Sequence, residues 1–197
     1  GGSGVDYAYS YESAFTEAIR ESFNIVGFDP RGVGRSTPIE CLSNSETDEA
    51  YASSAYPENE SEMAQMRQES KAFAESCSNE NKYLKFYSTA NAARDMDILR
   101  ALLGDAKLNF LGKSYGTYLG TLYAKLFPEK VGKFVLDGAV DPTISSLEQT
   151  LQQAVSFDNA FVAFANDCIK DSNCVLAGDV IAQIQGKLAE LHKEPLK

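Results

Sequence analysis

Between residues 89 and 137 the apolar positions switch spacing three times, and the switches predict helix, strand, helix, strand. Ala92, Met96, Leu99 and Leu103 recur every three or four residues behind a capping candidate at Thr89, and Gly104 stops the run, so a helix with one apolar face is expected over 89–103. Leu108-Asn109-Phe110-Leu111 is a short apolar run and reads as a buried strand over 107–111. Tyr115, Leu119, Leu122, Tyr123 and Leu126 return to helical spacing over 115–127, Pro128 closes that helix, and a strand follows over 133–137. Upstream, the pattern predicts a helix over about 8–22, a strand over 23–28 and a loop over 29–40. Strands that alternate with helices imply an α/β fold, a mostly parallel sheet covered by helices on both faces.

Two stretches depart from that alternation. Residues 43–82 are rich in Ser, Glu, Asn and Ala, with few branched apolar residues, which suits surface helices and loops in an excursion over 41–87. After Asp141-Pro142 the pattern is helical only, over 144–167 and 176–193, and reads as a helical lid or as helices that simply cover the sheet. The expected organisation is a core over 1–142 and the beginning of a cap over 143–197. Phe157, Phe161 and Phe164 form an aromatic face expected in a core or a pocket wall.

Composition narrows the partners. The 28 acidic against 18 basic residues give a formal charge of -10, which disfavours nucleic acid and anionic membrane surfaces. No run approaches 18 apolar residues, so no transmembrane span is expected. The four cysteines pair by position, Cys41 with Cys77 and Cys168 with Cys174, and neither pair has zinc-ligand spacing. Two disulfides in an exported protein is the preferred reading over buried thiols, and no metal or cofactor is expected.

The chemistry concentrates at Gly112-Lys113-Ser114-Tyr115-Gly116. A Gly-x-Ser-x-Gly run between a strand and a helix is the nucleophile elbow of α/β-hydrolases, in which a strained turn pushes the serine hydroxyl above the sheet. Ser114 is the candidate nucleophile. A phosphate-binding loop would need glycine at position 107, where the chain has Lys107, and a loop where 108–111 reads as strand. The elbow enzymes supply serine, acid and histidine in that chain order. His192, the only histidine, lies at the polar end of a helical pattern and reads as a solvent-facing residue, so the triad is expected to be incomplete within residues 1–197. The chain opens at Gly1-Gly2-Ser3-Gly4 without an initiator methionine or a signal segment, and sequence is expected to be missing at both ends. By composition alone, Gly-Gly-Ser-Gly equally fits a linker scar.

Several segments together resemble the α/β-hydrolase peptidases of the proline iminopeptidase and tripeptidyl aminopeptidase type. Residues 112–117 resemble their elbow. Phe28-Asp29-Pro30-Arg31-Gly32-Val33-Gly34-Arg35-Ser36 is similar to their Asp-x-Arg-Gly-x-Gly-x-Ser segment, and 135–142 to the strand end that leads into their cap. Gly1-Gly2-Ser3-Gly4-Val5-Asp6 is similar to the tail of their oxyanion loop. The resemblance covers most of residues 1–142. It implies a secreted or cell-envelope aminopeptidase that acts on short peptides from the free N-terminus, with acid and histidine beyond residue 197. It further implies one oxyanion donor at the backbone N–H of Tyr115, with Gly1 and Gly2 as neighbours of the other. Asp29 and Arg31 read first as turn scaffolding, and Asp137 and Asp141 as turn and hinge residues. Two other functions stay open: an esterase or lipase built on the same elbow, and a non-catalytic hydrolase-like domain.

Overall fold

The computed structural model describes residues 2–53, 56–176 and 178–194. The chain divides into two units, Gly1–Val140 and Asp141–Lys197.

In the first unit the strands β1 (Leu108–Lys113) and β2 (Val131–Asp137) pair in parallel, with Phe110 opposite Phe134 and Lys113 opposite Asp137. The helix α7 (Tyr115–Leu126) carries the chain from one strand to the other, as a parallel pair requires. The register slips between Leu108 and Phe110, where the Asn109 side chain accepts the Lys133 N–H at 2.9 Å.

The core is the seam between α7 and α6 (Thr89–Leu102). Ala92, Ala93 and Met96 of α6 are buried with Leu119 and Tyr123 of α7, and Phe28, Leu108, Phe110, Phe127, Val131 and Phe134 pack around them. The adjacent alanines leave room for the fully buried Tyr123 ring. Its hydroxyl needs a partner, since a buried unpaired one costs about 1–3 kcal/mol. It donates to Asp97 at 2.9 Å, which Arg100 also meets at 2.7 Å. Burial, with Asp97 alongside, pushes the Tyr123 phenol up to about 12. Leu99 is only half-buried and Leu103 is 55 % exposed, because α6 ends at Leu102 and Gly104, at φ +79°, turns the chain away.

Two upstream expectations are corrected. The helix over 8–22 is three short ones, α1 (Gly4–Tyr9), α2 (Tyr11–Ala14) and α3 (Glu17–Ser22). Hydroxyl residues at the breaks bond or turn locally instead: Ser10 donates to the Asp6 carbonyl at 3.4 Å, and Thr16 takes the extended conformation of an N-cap. Residues 23–28 do not join the sheet, and no strand among the described residues pairs with them. They run against α1 instead. A Cβ on Gly27 would stand 2.1 Å from the Gly4 carbonyl oxygen, and one on Gly4 would stand 2.3 Å from that of Phe28, so the two backbones meet with no room for side chains.

The excursion holds α4 (Asn44–Ala52), opened by a Ser43–Glu46 capping box, and α5 (Glu60–Glu80). A Cys41–Cys77 disulfide ties its start to the last turn of α5. Closing a loop of that length restricts the unfolded chain by about 3–4 kcal/mol in the entropy model.

The second unit holds α8 (Ser146–Cys168) and α9 (Val180–Lys193), each capped by its preceding side chain, Ser145 and Asp179. The helix expected from 176 begins only at Val180, because Gly178 sits at φ +76°. Cys168 is bonded to Cys174. Phe157 and Phe164 are 67 % and 52 % exposed rather than core, since α8 buries only Ala165. Among the described residues no helix is long and apolar enough to cross a membrane.

Candidate active site

The site is built at the turn between β1 and α7. Ser114 stands there at φ 52°, ψ -119°, a region that costs a side-chain-bearing residue about 1–3 kcal/mol and persists only when the surroundings hold it. Three hydrogen bonds do so. The Ser114 N–H donates to the Asp137 carbonyl at the end of β2 at 2.9 Å, and the Ser114 carbonyl accepts the Thr117 N–H at 2.8 Å and the Thr117 hydroxyl at 2.7 Å. Thr117 is 1 % exposed, and its Oγ1 in turn accepts the Val140 N–H at 2.9 Å. The Ser114 residue itself is exposed.

The two glycines of the turn differ. A Cβ on Gly112 would lie 2.4 Å from the Gly116 carbonyl oxygen, so only glycine lets α7 start this close to β1. A Cβ on Gly116 would meet nothing within 4 Å, so the expected steric need applies at Gly112 alone.

Tyr115 opens α7, where a backbone N–H has no acceptor within the helix. Its phenol and the Thr89 hydroxyl, at the start of α6, are 2.9 Å apart. Tyr115 lines a cavity of about 190 Å³ together with Gly2, Pro30, Val33 and Tyr87. The structure thus brings Gly2 and Tyr115, taken from distant parts of the sequence, to one cavity. Gly1 lies outside the described residues.

Asp29 organises the loop whose Pro30, Arg31 and Val33 line that cavity. Its side chain is 1 % exposed, yet it is surrounded by donors: the Ser3 hydroxyl, the Arg35 N–H at 2.9 Å and the Val5 N–H at 3.4 Å. The Ser3 hydroxyl first, and the Arg35 N–H next, hold the Asp29 carboxyl below the usual carboxylate range. Arg31 closes a fork on Asp95 of α6, Nε to Oδ2 at 2.6 Å and Nη2 to Oδ1 at 2.8 Å, and donates to the Phe86 carbonyl at 3.0 Å. Lys113 stands with its Nζ 5.0 Å from the centre of the Tyr7 ring, and hydrogen bonding to Tyr7 raises its pKa.

A family model for the alpha/beta hydrolase fold matches residues 1–197. The chain belongs to the α/β-hydrolase fold family. Curated relatives in it include "Serine protease Hip1" of Mycobacterium tuberculosis, 40 % identical over 182 residues that cover 91 % of this chain and 35 % of the relative. "Tripeptidyl aminopeptidase" of Streptomyces lividans is 35 % identical over 205 residues, 100 % of this chain and 38 % of the relative. "Carboxylesterase B" of Mycobacterium tuberculosis is 38 % identical over 183 residues, 91 % of this chain and 35 % of the relative. The chain spans a little over a third of the length of these relatives.

The other candidates of this α/β-hydrolase chain are His192, Asp137 and Asp141. His192 is exposed in the last turn of α9, in the second unit. Asp137 contributes its carbonyl to the Ser114 turn. Asp141 accepts the Thr143 hydroxyl at 2.6 Å and the Thr143 N–H at 2.8 Å, which lower its pKa in that order. Among the described residues no group of three or more His, Cys, Asp or Glu side chains is placed to hold a metal ion. Sequence reasoning names Thr117 and Asp29 without the contacts that make them contributors. Thr117 is visible there only as the last residue of the elbow segment, and its hydrogen bonds to Ser114 and Val140 need the turn to be folded. Asp29 reads as turn scaffolding, and its reach to Ser3 and Val5 spans 26 and 24 residues that no local signal bridges.

Proposed function

We propose that this protein is a serine hydrolase that cleaves short peptides from the free N-terminus, releasing tripeptides or single residues through an acyl-enzyme on Ser114. The observation that carries the reading is the exposed Ser114 held at positive φ between β1 and α7, the posture of an activated nucleophile at an elbow. The relatives named as a serine protease and a tripeptidyl aminopeptidase support a peptide substrate.

In this mechanism Ser114 Oγ bonds to the peptide carbonyl carbon while a histidine takes its proton. The backbone N–H of Tyr115 holds the developing oxyanion, with the Gly1–Gly2 loop beside the second donor. The C–N bond then breaks, the leaving amine takes the proton from the histidine, and water releases the acyl group from Ser114. The acid and the histidine belong to sequence outside residues 1–197, because His192 occupies an exposed helix end, and residues 1–197 alone are inactive. Residues 143–197 begin a helical cap. The two disulfides support a secreted or cell-envelope location.

A second reading, an esterase, draws on the relative named a carboxylesterase and on the tolerance of an elbow for any acyl substrate. Hydrolysis of an aminoacyl anilide, its N-blocked analogue and a simple ester by the natural gene product separates the two. Dependence on the free amine is expected, and equal rates on the blocked anilide or a preference for the ester favour the esterase. Fluorophosphonate labelling is expected to fall on Ser114 and to vanish, with turnover, in Ser114→Ala. Absence of labelling in the natural gene product would indicate a non-catalytic domain.

A further inference from the structure

We propose that Asp29 is a positioning residue for the reaction at Ser114, clamping the Gly2–Ser3 segment in place at the cavity that Gly2 and Tyr115 both line. The proposal rests on the serine-hydrolase reading above.

The Ser3 hydroxyl has two partners. It donates to Asp29 Oδ1 and accepts the Asp6 N–H at 3.0 Å, which fixes the segment against both α1 and the loop after residue 28. Asp29 also takes the Val5 N–H from the same segment and the Arg35 N–H from its own loop. The loop wraps the carboxylate closely: Gly34 sits at φ +49°, and a Cβ there would stand 2.6 Å from Asp29 Oδ2. Arg31, two residues on, forks onto Asp95, so the loop that holds Asp29 is itself fixed to α6. The first residue of α6, Thr89, meets the Tyr115 phenol. One continuous set of polar contacts and backbone therefore runs from Ser3 through Asp29, Arg31, Asp95 and Thr89 to Tyr115, and the cavity is lined by Tyr115 at one end and by Gly2, the residue before Ser3, at the other.

A buried carboxylate is a costly way to fasten a loop, and an apolar contact would serve where only stability mattered. An ionised acceptor with several donors buys position. Donors that meet a developing oxyanion act only when held to within a fraction of an ångström, because they must be aimed before the charge appears.

The test uses the natural gene product and the variants Asp29→Asn, Ser3→Ala and Ser3→Thr, with active sites counted by fluorophosphonate titration and kcat and KM measured per titrated site. In Asp29→Asn the amide turns a donor toward the donors, and in Ser3→Ala the clamp loses its hydroxyl. Both are expected to lower kcat per titrated site by about 10-fold, less than outright loss of an oxyanion donor, with KM close to wild type. Ser3→Thr keeps the hydroxyl and is expected to stay near wild type. If Asp29→Asn does not fold, the contrast between Ser3→Ala and Ser3→Thr decides. Fewer titratable sites with unchanged kcat per site in the variants would overturn the proposal, leaving Asp29 a purely structural residue. A wild-type protein that does not label at all would overturn the Ser114 reading and the proposal with it.

Discussion

Asp29 and Tyr123 solve the same problem, a polar group out of water, with opposite consequences for pH. Asp29 has a lowered pKa in the fold, so its contribution to stability is present above the unfolded carboxylate value of about 3.9 and is lost as pH falls through the folded value. Asp97, lowered chiefly by Arg100, behaves alike. Acid unfolding followed by circular dichroism should therefore show its loss of stability below about pH 4, and Asp29→Asn should be less stable at neutral pH with a shallower acid limb. The Tyr123 phenol stays protonated across the physiological range, so its bond to Asp97 is constant there. Tyr123→Phe should cost about 1 kcal/mol in denaturant titrations, whereas Tyr123→Ala, which empties the centre of the core, should cost about 3–5 kcal/mol.

The helices and strands that were legible in the sequence are those that carry their own punctuation. α6, β1, α7 and β2 have periodic faces bounded by Thr89, Gly104 and Pro128, and they fold within one or two residues of the expected limits. The helix over 8–22 failed because hydroxyl side chains inside it offer the backbone local partners that periodicity does not record. Residues 23–28 failed because a strand is a property of a pair, and apolar content says nothing of the neighbour. The candidate site divides the same way. Ser114 was legible as a motif between two periodic segments, whereas the contributions of Thr117 and Asp29 depend on contacts that only tertiary structure makes. The turn itself supplies a paired prediction. Gly112→Ala drives a Cβ into the backbone of Gly116 and should displace α7, which a large drop in melting temperature would report. Gly116→Ala meets open space in a helix and should leave stability equal or raise it by up to about 1 kcal/mol. Thr117→Val keeps the shape and removes the hydroxyl, and should cost about 1–3 kcal/mol as the Val140 N–H loses its acceptor.

At the scale of the molecule, covalent and chain connections set which parts respond together. Cys41→Ser with Cys77→Ser should lower stability by about 3–4 kcal/mol, measured by urea unfolding with and without reductant. The effect should fall on α4 and α5, away from the turn at Ser114. The same logic applies where one unit gives way to the next. The chain leaves the first unit at Val140, and that residue's N–H is the one held by Thr117, which holds the Ser114 carbonyl. A pull along the backbone from Asp141 onward is thus delivered through two hydrogen bonds to the peptide group of Ser114. The joint between the units is also a mechanical lead to the serine, whose strained posture it helps to hold.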